Sequence, residues 1–307
     1  MRITNNMLIN NMMLSYTNNL NQTQKYQSQL ATGHKISLPS DDPIVASKSL
    51  KLRTDVAEIA QYRRNTDDAT AWMDVTEATM GQINDVVQRM REITVQGSNG
   101  TNTPDDLKKL SAEAQELRTQ LIHLGNTSYA GRYIFSGYRT DKPLLDADGN
   151  FTYNITNAEQ IKFEIGIGDD INVNVPGSDL FNNGTPVNIV APALTEKSAF
   201  VDTFDQIVTA LNTPNQDDLT NLLGNLDADI DNLLRVRAGL GARSNRVDLT
   251  SNRLDDDNVN FTKLMSSNED VNMAEAIMNL QNEMNVYQAS LSTGAKVIQQ
   301  SLVDFLR

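Results

Sequence analysis

Cysteine is absent from this chain of 307 residues, which excludes disulfides, thiolate metal sites and thiol nucleophiles at once. The same absence suits a chain that must travel unfolded, because no bridge can form on the way. Tryptophan occurs once, at Trp72, and aromatics make up 6% of residues, so a core has to be built from Leu, Ile, Val, Met and Ala. Such side chains suit helix–helix seams, where unbranched and γ-branched residues keep rotamer freedom. Histidine occurs only at His34 and His123, with no pair at i, i+4. A zinc site would need carboxylates alone, and none is expected. No run approaches the roughly 18 apolar residues of a membrane helix, and the opening Met1-Arg2-Ile3-Thr4-Asn5-Asn6 lacks the basic and apolar regions of a Sec-type signal peptide.

Positive charge is scarce too. Lys and Arg number 26 against 39 Asp and Glu, a formal net charge of −13. A polyanionic surface repels phosphate backbones, and no basic stripe overrides the total. Arg63-Arg64 and Lys108-Lys109 lie close to acids and read as solvated helix faces. Neither nucleic acid nor membrane is expected as a partner.

Catalytic patterns are missing. Gly166-Ile167-Gly168-Asp169 is too short for a dinucleotide fingerprint, and no Gly-x-Ser-x-Gly elbow occurs. Asp146-Ala147-Asp148-Gly149-Asn150 resembles the start of a calcium loop. Its Gly stands fourth instead of sixth, and Asn157 occupies the twelfth place, where a bidentate Glu is needed, so a hairpin turn is favoured. No enzyme, cofactor or metal site is expected.

What the chain does contain is heptad spacing. The first stretch runs Ile9, Met13, Tyr16, Leu20, Thr23, Gln27, Leu30. A second follows Asp41-Asp42-Pro43, a cap and a first-turn Pro, and carries Leu52, Val56, Ile59 and then Met73, Thr76, Met80, Ile83, Val87, Met90. Gly97-Ser98-Asn99-Gly100 ends it. Thr103-Pro104-Asp105-Asp106 opens a short helix with the seam Leu107, Leu110, Ala114, Leu117, Leu121, Leu124.

The strongest stretch places Leu219, Leu226, Leu233, Leu240, Val247, Leu254 and Phe261 seven apart, beside a half-polar row from Leu223 to Met265. Gly239 and Gly241 interrupt it, each costing about 1 kcal/mol relative to Ala. They mark either close approach by a neighbouring subunit or a local kink or break between two helices. After Asn268-Glu269-Asp270, read as a helix start, come Ile277, Leu280, Met284, Tyr287, Leu291, Ile298, Leu302 and Phe305.

Residues 131–195 differ. Alternation in Phe151-Thr152-Tyr153-Asn154-Ile155 and in Ile161-Lys162-Phe163-Glu164-Ile165, with turn pairs Asp148-Gly149, Pro176-Gly177 and Asn183-Gly184, predicts a small β-rich insert between helical halves. Turn-rich boundaries near Thr140 and Val190 predict an insert separable from the helices.

Several stretches resemble the flagellin-like axial proteins of the bacterial flagellum. LATGHKISLPSDDPIVAS (residues 30–47) is similar to the segment joining the terminal helix to the rod. Its Pro39-to-Pro43 string is closer to the hook-associated type 3 branch than to filament flagellin, the alternative reading. NTSYAGRYIFSGYRT (126–140) resembles the strand motif of that branch, RVRAGLGARSNRV (235–247) resembles the second rod helix shared by both, and YQASLSTGAKVIQQSLVDFLR (287–307) is closer to the terminal segment of type 3 than of flagellin.

The resemblance implies a mainly α, elongated helical rod with paired terminal helices and a small β-rich insert. Residues 1–43 with 270–307 would be the inner terminal domain, 44–140 with 196–269 the rod, and 141–195 the outer insert. It implies a structural role joining hook to filament, with partners in copies of itself in a ring, the adjacent hook-associated junction protein, flagellin and a flagellar export chaperone. It implies export through the flagellar type III apparatus to an extracellular flagellum. The expected assembly interface is Ile9, Met13, Tyr16, Leu20 and Leu30 with Ile277, Leu280, Met284, Tyr287, Leu291, Ile298, Leu302 and Phe305. A cytosolic or surface coiled-coil adaptor is the third reading.

The residues themselves supply a mechanism. A helix over 1–30 with a half-polar seam buries too little alone to offset an ordering cost of about 1–2 kcal/mol per residue. Both chain ends are therefore expected to be mobile in the monomer and to fold on assembly.

Overall fold

Seven helices dominate the described part of the chain, which in this computed structural model comprises residues 5–99, 102–189, 196–213 and 216–305. Side chains of residues 5, 6, 8, 216, 217 and 296–305 are set aside. The element order is α1 (Asn5–Thr32), α2 (Pro43–Ser98), α3 (Pro104–Gly125), β1 (Ser128–Tyr129), β2 (Arg132–Tyr133), β3 (Asn150–Phe151), β4 (Lys162–Gly166), β5 (Asp169–Asn172), α4 (Gly177–Phe181), β6 (Glu196–Lys197), α5 (Ala199–Asn212), α6 (Gln216–Glu269) and α7 (Met273–Phe305). Two compact units result: residues 1–58 with 256–307, and residues 59–255.

Helix starts follow their capping chemistry. Asp42 Oδ1 accepts from the amides of Ile44 (3.0 Å) and Val45 (3.1 Å), so α2 begins at Pro43 as the sequence predicts. Thr103 caps α3 in the same way, accepting from the Asp106 amide. The start of α7 is a correction. Asn268-Glu269-Asp270 ends α6, and Asn272 supplies the cap, its carbonyl accepting from the Ala276 amide at 2.9 Å.

In the unit 59–255, α2 and α6 run antiparallel. The pairs Arg63–Asp255, Glu77–Arg237 and Arg91–Asp227, each at 2.7 Å, form rungs along them. These ions are 38–52% exposed, so they fix register more than they stabilise. The stabilising term is the seam. Leu219, Leu226, Leu233, Leu240, Val247 and Leu254 are all buried, and so are Met73, Thr76, Met80, Ile83, Val87 and Met90 opposite them. Helix α6 continues through Gly239 and Gly241, which corrects the reading of a break between two helices. Beyond the helix's own neighbouring backbone, no atom lies within 4 Å of where their side chains would begin.

Helix α3 packs along α5, an element the heptad search passed over. Its signal was present: Ser198 accepts from the Val201 amide, and Phe200, Phe204, Ile207 and Leu211 recur at helical spacing.

The 141–195 region holds less regular β structure than its alternation suggests. Among the described residues there are only three two-stranded antiparallel pairs, β1–β2, β3–β6 and β4–β5. Within Phe151–Ile155 only Phe151 is in a strand, and Pro176-Gly177 opens α4 instead of a hairpin turn. A side chain at Gly177 would collide with Leu144 and the Phe135 carbonyl. Asn183 and Gly184, at φ +50° and +78°, do form the turn expected of them. Asp146 folds back on its own loop, accepting from the amides of Asp148 (2.9 Å) and Asn150 (2.8 Å), so its carboxylate serves the turn.

The insert also shares the core. Phe181 of α4 stacks edge-on to Phe135 and touches Phe200, which continues to Phe204. Leu144, Leu145, Phe151, Tyr153 and Ile155 belong to the same buried cluster as the α2 and α6 seams. The expected separability of the insert is thereby corrected.

One buried acid has a testable signature. Asp229 of α6 is 3% exposed, and its Oδ1 accepts from Asn183 Nδ2 at 3.1 Å, with the Thr203 hydroxyl also beside the carboxylate. Burial pushes its carboxyl above the usual carboxylate range. A raised folded-state pKa means a contribution that is fully present below the unfolded carboxylate pKa and is lost as pH rises through the folded one. Asp229→Asn is expected to raise the melting temperature at pH 7 by about 2–4 °C, the shift that about 1 kcal/mol gives a domain of this size. The gain should vanish near pH 3. Parallel melts of the two proteins from pH 3 to 8 test it, and a constant offset would refute it.

Candidate assembly interface

The unit formed by both chain ends is built unlike the other. Among its described residues, Ala46 and Ala276 are the only buried apolar side chains. Helices α1 and α7 pack along each other, yet much of their apolar surface stays exposed. The cause lies in sequence: α1 is rich in Asn and Gln, so one helix face cannot close a seam on its own.

Of the predicted interface, Tyr16 and Tyr287 meet directly. Their hydroxyls are 2.6 Å apart and their ring centroids 5.2 Å apart. The hydrogen bond with Tyr16 holds the Tyr287 phenol above the ordinary tyrosine range. Ile9, Leu30 and Leu280 are half-buried. Met13, Leu20, Ile277, Met284 and Leu291 are exposed, between 39% and 55%. Leu20 and Met284 line a groove with Thr23, Gln24, Gln27 and Tyr287, so the polar seam residues stand beside apolar ones. Ile298, Leu302 and Phe305 lie outside the residues whose side chains are described.

Close approach occurs where Gly294 of α7 is buried against Met12 of α1. A side chain there would collide with the Met12 thioether. Sequence reading passed over Gly294, although a lone Gly inside a helical seam signals such contact.

It also passed over the polar cluster at the helix roots. Glu269, 4% exposed, accepts from Arg53 through both oxygens, at 2.7 Å to Nε and 2.6 Å to Nη2, and from the Ser49 hydroxyl. The Arg53 bond holds the Glu269 carboxyl below the usual range, against an opposing push from burial. His34 Nδ1 is buried without a hydrogen-bond partner, 3.6 Å from Asp270 and 3.9 Å from Glu269.

No helix among the described residues is long and apolar enough to cross a membrane.

Residues 3–140 match the bacterial flagellin N-terminal helical region, and residues 223–306 match the C-terminal helical region. The chain is 30% identical to flagellar hook-associated protein 3 of Escherichia coli, over 94% of this chain and 95% of that one. It is also 30% identical to flagellar hook-associated protein 3 of Salmonella typhimurium, over the full length of both. In fold it is similar to the flagellar junction protein FlgL from Legionella pneumophila, with a TM-score of 0.57 and 16% identity over 74% of this chain and all of that one.

Proposed function

Since the chain belongs to the flagellin-like family and to its hook-associated type 3 branch, a structural component of the bacterial flagellum, we propose that it joins the hook to the flagellin filament by coupled folding and assembly of its terminal helices. The carrying observation is the contrast between the units. Residues 59–255 hold a closed core, whereas the unit of both chain ends buries, among its described apolar side chains, only Ala46 and Ala276 and exposes Met13, Leu20, Ile277, Met284 and Leu291. Surrounded by neighbours, those side chains would gain burial from several chains at once.

In this reading, residues 1–43 with 270–307 form an inner layer, 44–140 with 196–269 a rod, and 141–195 an outer surface. Copies pack in a ring, with the preceding hook-associated junction protein on one side and flagellin on the other. Open backbone at Gly239 and Gly241 is surface that a neighbouring copy can approach. The chain leaves the cell unfolded through the flagellar type III apparatus, with a chaperone shielding the C-terminal segment until release.

Location and copy number test the proposal. An epitope-labelled chain replacing the native gene is expected to mark one narrow band where hook meets filament. Label along the whole filament would establish the flagellin alternative. Retention of all label inside flagellated cells would sink both and leave the adaptor reading.

A further inference from the structure

We propose that Glu269 is a positioning residue: by gripping Arg53 and Ser49 it sets the direction in which both terminal helices leave their common root. The proposal rests on the assembly reading above and adds how two segments far apart in sequence come to present one binding face.

The root is a short ladder. Gly33, at φ +76°, ends α1, its amide donating to Gln29 O at 2.8 Å. The chain then pairs antiparallel with the α6–α7 link, His34 opposite Asp270. Lys35 N donates to Glu269 O at 2.7 Å, and Val271 N to Gly33 O at 2.9 Å. These two bonds tie the exit of α1 to the entry of α7. Asn268 Nδ2 donates to Val45 O at 3.1 Å, bringing in the first turn of α2.

The Glu269 side chain crosses that same point. Its carboxylate is 5% exposed and takes a two-pronged guanidinium from α2. A planar fork on a carboxylate fixes orientation as well as distance. Arg53 itself is 57% exposed, so the pair adds little net stability, and the best-attested use of a charged group held in the interior is to specify one arrangement. Here the neighbourhood offers almost no buried apolar surface that could do so. The polar ladder and the carboxylate therefore carry the register of this root.

The missing cysteines make the test clean, since labels can be placed at Ala31→Cys and Ala274→Cys in the full chain without competing thiols. Both sites are exposed, one at each helix root. Pulsed electron paramagnetic resonance should give one narrow distance distribution for the parent chain. Adding Glu269→Gln should broaden it at least twofold and cut incorporation at the hook tip at least tenfold, with the melting of 59–255 unchanged. Arg53→Lys, which keeps the charge and loses the fork, should do the same and guards against a misfolded Gln variant. A distribution as narrow with Gln as with Glu overturns the proposal, and so does one already broad in the parent. Normal incorporation despite broadening overturns the coupling to assembly. Broadening as expected in a parent that never reaches the hook upholds the grip of Glu269 and overturns the junction reading instead.

Discussion

Replacing residues 142–189 by a short Gly/Ser link is expected to abolish cooperative melting of the 59–255 unit. The excised segment is part of the core: Phe181 bridges Phe135 and Phe200, and Leu144, Leu145, Phe151 and Ile155 are fully buried. Truncating one such side chain to Ala costs about 2–5 kcal/mol, and a whole domain is stable by only about 5–15 kcal/mol. Removing five exceeds that reserve. Partners left behind add to the loss. Gly125 of α3 packs against Phe181 and Leu145, and the Asn126 side chain holds the Leu145 backbone through both its amide (3.0 Å) and its carbonyl (2.8 Å). Asn232 of α6 donates to the Asp179 carbonyl at 2.9 Å, and Arg243 to those of Asn172 and Asn174, both at 3.1 Å. A sharp calorimetric transition with undiminished helicity in the shortened chain would prove this account wrong.

The second large effect concerns the chain ends. Met13→Asp together with Met284→Asp is expected to leave the melt of 59–255 within error of the parent, because both side chains are exposed, at 55% and 39%, and lie outside that unit. Assembly should respond very differently. Burying a Met contributes about 1.5–3 kcal/mol, and a carboxylate in its place adds a desolvation cost of its own. With about 1.4 kcal/mol per factor of ten, and only the exposed part of each side chain left to bury, two such losses reduce incorporation by at least about tenfold. Secreted flagellin should then appear in the medium instead of in filaments. Motile cells with ordinary filaments on the doubly charged chain would show that these faces are not contacts.

How much of this the amino acids disclose depends on the range of the interaction. The Leu row from Leu219 to Leu254 is legible because one long helix packed on one side writes its burial as a seven-residue period. The start of α2 is legible because Asp42 and Pro43 act within one turn. The start of α7 is not, because Asn268 and Asn272 are equally good caps and only the bridge between His34 and Asp270 decides between them. The insert misleads for another reason. Its alternation comes from wrapping against helices, with side chains such as Asn174 and Asn154 satisfying backbone groups that a neighbouring strand would otherwise pair.

The candidate interface divides along the same line. Met13, Leu20, Ile277 and Met284 stand out in a heptad scan as seam residues, although nothing in the spacing says that they stay uncovered. Glu269 is invisible to such a scan. Arg53 lies 216 positions away, and an acid near a helix end is ordinary.

The meeting of Tyr16 and Tyr287 gives the terminal pair a zero mark on its own ruler. One turn of helix advances about 5.4 Å, roughly twice the reach of the 2.6 Å link between the two hydroxyls. Sliding α7 along α1 by a turn would leave oily residues facing oily residues much as before, since Met and Leu are forgiving about which neighbour they touch. It would not leave one phenol facing another. Two helices that are lax about what they touch are thus strict about where they stop, held there by that single coincidence of oxygens.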